Sequence, residues 1–296
     1  MIRTDDPLYN FHVWFQEKNQ SQSLDWDIAL TAFKDAIWHF YYAHKRPFVW
    51  RETKDSYAIV VSEIMLQQTQ TQRVAQKFPE FMEAFPTFQS LAQASTQELL
   101  RYWVGLGYNR RAFALQSIAQ KVVTEYGGIF PKKPEVLETF KGIGPATAGS
   151  ITAFAYNKPT VFIETNIRSV FLHLFFHEQE GISDKILYPL VAATVDQENA
   201  REWYYALMDY GVVIKKLYPN PSRKSKHHAK QSKFEGSDRQ VRGTVIKLLT
   251  QQESIEAVKI YEMFPQKIDT IDSILEQLCI EKMIQKKNNL YFFSKS

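Results

Sequence analysis

The sequence predicts a mostly α-helical protein that ends in a small winged-helix-like domain. Three observations carry this expectation. Across residues 1–212 apolar side chains recur at helical spacing, and almost nothing alternates with period two. A glycine-containing connection, Lys141-Gly142-Ile143-Gly144, separates two helical segments. Beyond a basic, proline-containing stretch, three short helical patterns precede Lys287-Asn288-Asn289 flanked by apolar residues, a hairpin signal.

The elements follow in order. Residues 1–22 show no clear period. From Trp26 onward Leu30, Phe33, Ile37 and Tyr41 lie on one stripe. Asp55 and Ser56 form an N-cap signal for a helix over 57–77. Shorter helices are expected over 79–85 and 96–103. Residues 112–126 place Leu115, Ile118, Ala119 and Val122 on one face, and Gly127-Gly128 ends that helix. Segments 136–140 and 145–156 flank the glycine connection, and 166–176, 184–195 and 201–213 follow. Helices over 239–251, 256–263 and 270–283, then a hairpin over 284–293, suggest a winged helix. A small α+β interaction domain without DNA contact fits the same pattern.

Composition narrows the class. The chain has 296 residues, 45% hydrophobic, 14% aromatic and 23% charged, which is globular. Its length allows one large domain or two ordinary ones. A single cysteine, Cys279, excludes a disulfide scaffold, a four-cysteine zinc site and a cluster held by four thiolates. No apolar run approaches the roughly 18 residues of a membrane span. The start of the chain carries Asp5 and Asp6 and lacks a basic-then-apolar signal pattern. A soluble protein of a reducing compartment, the cytoplasm, is expected.

Charge is uneven. Residues 213–296 hold 16 Lys/Arg and 9 Asp/Glu, a net of +7, whereas residues 1–212 carry a net of −3. The stretch 215–233 has seven Lys/Arg, two His and no acid, which fits either a polyanion partner such as nucleic acid or a solvated linker. Pro219, Asn220, Pro221, Ser222 and Ser225 within it mark a boundary.

Two segments carry chemistry. In Phe140-Lys141-Gly142-Ile143-Gly144-Pro145 the glycines allow backbone angles that side chains forbid and leave N–H groups uncovered. Pro145 suits the first turn of the next helix. Exposed amides at a helix start attract phosphate, and Lys141 adds a charged donor. The segment resembles a helix–hairpin–helix motif; a purely structural turn reads the same way. In Ser62-Glu63-Ile64-Met65-Leu66-Gln67-Gln68-Thr69-Gln70 a carboxyl group sits among Leu and Met, where burial raises its pKa and suits it to general-acid work. Gln67 is four residues on and shares its face, and Gln68 and Thr69 offer donors and acceptors of the kind that probe base edges. Spacing alone favours a capped or paired helix glutamate.

These segments, with Trp103-Val104-Gly105-Leu106-Gly107-Tyr108 and Met208-Asp209-Tyr210-Gly211, resemble the motifs of MutY-type adenine DNA glycosylases in similar order and spacing. That family belongs to the helix–hairpin–helix (HhH-GPD) superfamily, which also contains endonuclease III. The resemblance covers about residues 33–212. It implies a glycosylase fold of two helical subdomains and divides the chain into an extension (1–28), a glycosylase domain (29–213), a basic linker (214–236) and a winged-helix-like domain (237–296). It implies that Glu63 protonates adenine N7 and later assists water. Gln68 and Thr69 would enter the gap left by the flipped base, and Tyr108 would wedge beside the opposing purine. Trp50 and Arg51 match a pair near the base pocket, to which Leu66, Gln67, Asn166 and Tyr205 also belong. Lys141, Gly142, Ile143, Gly144 and Ala146 would grip the DNA backbone. The partner implied is double-stranded DNA with a mismatch or lesion, bound by a monomer.

The chain departs from the family at several places. The second carboxylate is Glu164, in Glu164-Thr165-Asn166-Ile167-Arg168, where the family has Asp; it either stabilises the sugar cation or pairs with Arg168, four residues on. Ala146 stands where endonuclease III has a nucleophilic Lys, so no Schiff-base lyase step is expected. The family's [4Fe–4S] cysteines are missing, and no metal or cofactor is expected beyond a candidate monovalent cation at the Lys141-Gly142-Ile143-Gly144 hairpin. The basic run, with Lys215, Lys216, Arg223 and Lys224, is expected to take over the phosphate contact. Tyr205 replaces a Gln or Glu that contacts adenine; it stacks and donates one hydrogen bond, or simply packs. A MutT-like domain that reads 8-oxoguanine is not expected in the roughly 60 residues after the linker. The leading expectation is a monofunctional hydrolase in base excision repair, removing adenine opposite guanine or 8-oxoguanine. A thymine/uracil mismatch glycosylase and a catalytically silent mismatch binder are the rivals.

Overall fold

A computed structural model describes residues 7–227 and 233–294. Its helices are α1 (Pro7–Gln20), α2 (Trp26–His44), α3 (Ser56–Leu66), α4 (Thr71–Ala84), α5 (Phe88–Gln93), α6 (Thr96–Trp103), α7 (Arg110–Tyr126) and α8 (Pro134–Leu137). They continue with α9 (Pro145–Tyr156), α10 (Thr165–Phe175), α11 (Asp184–Thr194), α12 (Ala200–Leu217), α13 (Asp238–Gln251), α14 (Ala257–Met263) and α15 (Ile268–Ile280). The strands are β1 (Ile255–Glu256), β2 (Ile284–Lys287) and β3 (Leu290–Phe293). No described helix is long and apolar enough to cross a membrane.

The chain forms two compact units. The first contains α1, α2, the start of α3 as far as Ile59, and α8–α12. Its core joins Phe33 and Ile37 of α2, Phe171 and Leu174 of α10, and Trp203, Tyr204 and Leu207 of α12. The second comprises Val60–Pro131, Thr139–Gly142 and the C-terminal helices and strands. Val74, Phe81, Leu99, Trp103, Leu115 and Ile118 are buried there.

Local signals account for many boundaries. Asp55 caps α3, its carboxylate accepting from Tyr57 N (3.1 Å) and Ala58 N (3.2 Å). Gly127 ends α7 in the left-handed conformation, φ 60°. In the C-terminal module the order is α13-β1-α14-α15-β2-β3, and β3 pairs antiparallel with both β1 and β2. That is the winged-helix arrangement, with Asn288 at φ 57° in the wing turn.

Three expectations need correction. Residues 7–20 are helical although no period was legible. Leu8, Phe11 and Phe15 face the first unit's core, but Tyr9 and Val13 are apolar on the exposed side and blur the stripe. The helix expected over 57–77 stops at Leu66 and restarts at Thr71, because Gln68 takes φ 53°. α4 then runs through Pro79. The linker expected from 214 begins inside α12, which continues to Leu217 because Ile214 is buried. Of the basic run, residues 228–232 lie outside the described residues.

Candidate active site

In the second unit the α3 helix carries Glu63 half-buried near its C-terminal end, between the buried Ser62 and Ile64. The helix end is gathered by one side chain that sequence reasoning missed. Arg111, the second residue of α7, donates through Nη1 to the carbonyls of Ile64 (2.8 Å), Met65 (2.8 Å) and Gln67 (2.5 Å). Through Nη2 it donates to Thr69 Oγ1 (2.9 Å) and the carbonyls of Leu106 (3.1 Å) and Gly107 (3.0 Å). The Ile64 and Met65 carbonyls are orphans of a helix end, and a fixed guanidinium fork satisfies them together with the turn carbonyls. Burial pushes the Arg111 pKa down to about 10, so it stays charged at neutral pH.

Arg111 thereby fastens the Gln67–Gln68–Thr69 turn to the loop before α7. Thr69 Oγ1 adds a bond to the Leu106 carbonyl (3.2 Å), and Gln67 Nε2 donates to the Gly142 carbonyl (3.2 Å). Gln67 therefore lies beyond the helix and reaches the hairpin instead of continuing the face of Glu63. Gln68 is exposed, and Leu66 is half-buried. The loop itself is shaped by Gly105 (φ 97°), Gly107 (φ 71°) and Tyr108 (φ 48°) and is pinned by Trp103 Nε1 on the Gly107 carbonyl, 3.1 Å.

At the hairpin Gly142 has φ 86°, and a Cβ there would meet Ala114 Cβ at 2.9 Å. Only glycine fits both constraints. Lys141, Gly142, Gly144 and Ala146 are exposed, whereas Ile143 is buried as the anchor. Gly144 precedes α9 with Pro145 at its first turn and adds no side-chain cap at a helix start of the kind that attracts phosphate.

In the first unit Glu164 caps α10. Oε1 accepts from Asn166 N (2.7 Å) and Ile167 N (2.8 Å), and Oε2 from Asn166 Nδ2 (3.2 Å). The longer glutamate is thus accommodated as an N-cap. The alternative pairing with Arg168 is not formed, because Arg168 makes a bidentate bond to Asp184 at 2.7 Å. Lys215 also differs from expectation. Its Nζ donates to Asn166 Oδ1 at 2.9 Å, and burial lowers its pKa while Glu164 opposes that shift. It supports the capping pair instead of facing solvent. Lys224 likewise turns to the His177 carbonyl, whereas Lys216 and Arg223 are exposed.

Trp50 is buried and stacks on Phe48, ring centroids 4.8 Å apart. Arg51 forms a bidentate pair with the buried Asp209 (2.9 and 2.8 Å), which Arg46 joins at 2.7 Å. The Arg51 guanidinium also lies 4.4 Å above the Tyr205 ring, which stacks on Phe154 at 4.5 Å. Asp209 is the centre of this cluster; its motif was legible, its role was not, because the partners lie 158 and 163 residues away in sequence.

Residues 61–188 match the model of the HhH-GPD superfamily of base excision DNA repair proteins. The chain carries an HhH-GPD domain. It is 33% identical over 215 residues to the human adenine DNA glycosylase, covering 68% of this chain and 39% of that protein. It is 26% identical over 185 residues to a thymine/uracil-DNA glycosylase of Methanothermobacter thermautotrophicus, covering 62% of this chain and 84% of that protein. The chain thus spans about two fifths of the human relative's length. A solved thermostable thymine-DNA glycosylase shares the fold, with TM-score 0.57 at 24% identity over 66% of this chain and 91% of the other.

A [4Fe–4S] cluster does not fit the HhH-GPD domain as it stands. The chain has one cysteine, Cys279, and it lies in α15. After α12 the short turn Pro221–Lys224 is held by Ser222, whose Oγ lies 2.6 Å from Ser169 Oγ and 3.2 Å from the Thr165 carbonyl. Hydroxyls and backbone hold this turn, with no thiolate among them.

Proposed function

We propose that this chain is a monofunctional DNA glycosylase that flips a mispaired base from duplex DNA and hydrolyses its glycosidic bond, with adenine opposite guanine or 8-oxoguanine as the substrate. One observation carries the reading. The helix bearing Glu63, the Gln67–Thr69 turn, the loop ending in Tyr108 and the Gly142 carbonyl are joined by one set of hydrogen bonds centred on Arg111 and Gln67. A common support of this kind is what an acid, gap-filling residues, a wedge and a backbone grip acting together would need, and it supports the reading.

In this reading Glu63, as the neutral acid, donates its proton to adenine N7. The C1′–N9 bond breaks, the electron pair leaves with the base, and the sugar becomes an oxocarbenium ion. Glu164 supplies negative charge to that cation. Water adds to C1′, and the Glu63 carboxylate takes the released proton, which restores the acid. Ala146 offers no amine, so the product is an abasic site and not a cut strand. Lys216 and Arg223, exposed after α12, contribute phosphate contacts.

Tyr205 favours a second reading. Packed between Phe154 and Arg51, it cannot read an adenine edge with two bonds, and the Methanothermobacter thermautotrophicus relative carries the name of a thymine/uracil enzyme. Single-turnover excision by wild type and Glu63→Gln on an A:8-oxoguanine duplex tests the lead. The variant is expected to be at least about a hundredfold slower. Equal rates would remove Glu63 from the chemistry.

A further inference from the structure

The C-terminal module touches the loop that the proposed wedge occupies. Arg239, the second residue of α13, donates through Nη1 to Tyr108 Oη at 2.7 Å, and its guanidinium carbon lies 5.7 Å from the ring centroid. The Arg111 guanidinium lies 5.6 Å from the same ring. Tyr108 is 37% exposed and held at φ 48°, so two cations flank a ring that still presents an open edge. α13 also packs against α6, the helix leading into this loop. On the far side of Tyr108, Arg110 pairs with Glu281, which follows α15 and also pairs with Arg242. The module therefore holds the helix before the loop, the tyrosine in it and the arginine after it.

The charges on one helix of the module argue against that helix reading DNA. In a helix-turn-helix the second helix enters the groove. Here that helix is α15, and it exposes Asp269, Asp272 and Glu276, which phosphate repels. Of the arginines on α13, Arg239 is turned toward Tyr108 and Arg242 pairs with Glu281.

We infer that the winged-helix module is a clamp for Tyr108, with Arg239 as the positioning residue, and that it presents the tyrosine to the base stack of a distorted duplex. The inference rests on the reading of Tyr108 as the wedge and names what holds it. A wedge must keep one rotamer while the stack resists it. Ordering a free side chain on binding weakens affinity, and a pre-formed hydrogen bond removes that cost beforehand.

The test uses the full chain and a mismatched duplex with 2-aminopurine beside the mismatch, whose fluorescence rises when the stack opens. Wild type, Tyr108→Ala, Tyr108→Phe, Arg239→Ala, Arg239→Lys and the Tyr108→Phe/Arg239→Ala pair are compared across a salt series. Tyr108→Ala is expected to abolish the rise. Tyr108→Phe and Arg239→Ala are each expected to weaken binding and the rise by about fivefold. The double variant is expected to be no worse than Arg239→Ala alone, because the bond that Tyr108→Phe removes is already lost there. Arg239→Lys, which keeps a donor, is expected to recover part of the effect, and the salt slope is expected to stay at the wild-type value in Arg239→Ala. Additive losses, or a salt slope smaller by about one in Arg239→Ala, would overturn the clamp and make Arg239 an ordinary phosphate contact. A rise that depends on Tyr108 but not on Arg239 overturns the clamp alone, whereas a rise independent of Tyr108 overturns the wedge reading and the clamp with it.

Discussion

Replacing Arg111 by alanine removes six hydrogen bonds from the end of α3 and the two turns beside it. The two amino groups carry four hydrogens, so several of these contacts share one, and the sum is not six independent bonds. Breaking a buried charged network costs about 3–5 kcal/mol, which is the loss expected here. Against a total stability of about 5–15 kcal/mol this is a large fraction. Lysine keeps the charge but is a point donor that cannot serve both the α3 carbonyls and the Leu106–Gly107 carbonyls, so Arg111→Lys should lose about half as much. Urea unfolding gives the measurement, with a midpoint lower by about 1 M or more in Arg111→Ala at unchanged slope. Hydrogen exchange at the amides of Gln67, Gln68 and Thr69 should quicken in both variants. A midpoint within about 0.3 M of wild type, or unchanged exchange in that turn, would refute the view that one guanidinium organises this region.

Two further predictions concern the first unit. The His12, His173 and His177 rings lie 5.1–5.6 Å apart, and burial, followed by His12, His177 and Lys224, lowers the His173 pKa to about 3. The unfolded chain then binds more protons between pH 6.5 and 3, so stability falls as pH falls through that window. His173 alone should cost about 2 kcal/mol between pH 7 and 5, and His173→Leu should flatten that part of the urea-midpoint profile; an equally steep profile would contradict it. At Gly211 a Cβ would stand 2.5 Å from the Asn166 carbonyl oxygen and 2.7 Å from Asn166 Cβ. Gly211→Ala gains about 1 kcal/mol of helix propensity, but the clash of α12 with α10 costs about 1–3 kcal/mol, so a lower midpoint is expected and a raised one would refute the close approach.

What was legible in the sequence is what local chemistry decides. The Asp55 cap, the Gly127 stop, Gly142 at positive φ and the wing turn each follow from a few adjacent residues, and the structure has them where the residues place them. The α3–α4 break was not legible, because Gln68 has no glycine-like signal and its conformation answers to Arg111, 43 positions on. Lys215 read as a solvated cation within a basic run, yet it is turned inward by Asn166, 49 residues away. Arg51 was singled out through resemblance, but the chemistry that holds it, Asp209 and the Tyr205 face, comes from α12. Arg239 lies 131 residues from Tyr108, and no periodicity links them. Side chains chosen for long-range contacts carry no local signature, and the supports of this site are of that kind.

The most direct test of the central claim is single-turnover base release from duplexes carrying A:8-oxoguanine, A:G, T:G and U:G, with alkali added to reveal abasic sites and the freed base identified. Free adenine from the A-containing duplexes, with strand scission only after alkali, is the predicted result. Thymine or uracil release in place of adenine would move the substrate to the second reading, and no release from any duplex would contradict the account of Glu63 as a working acid.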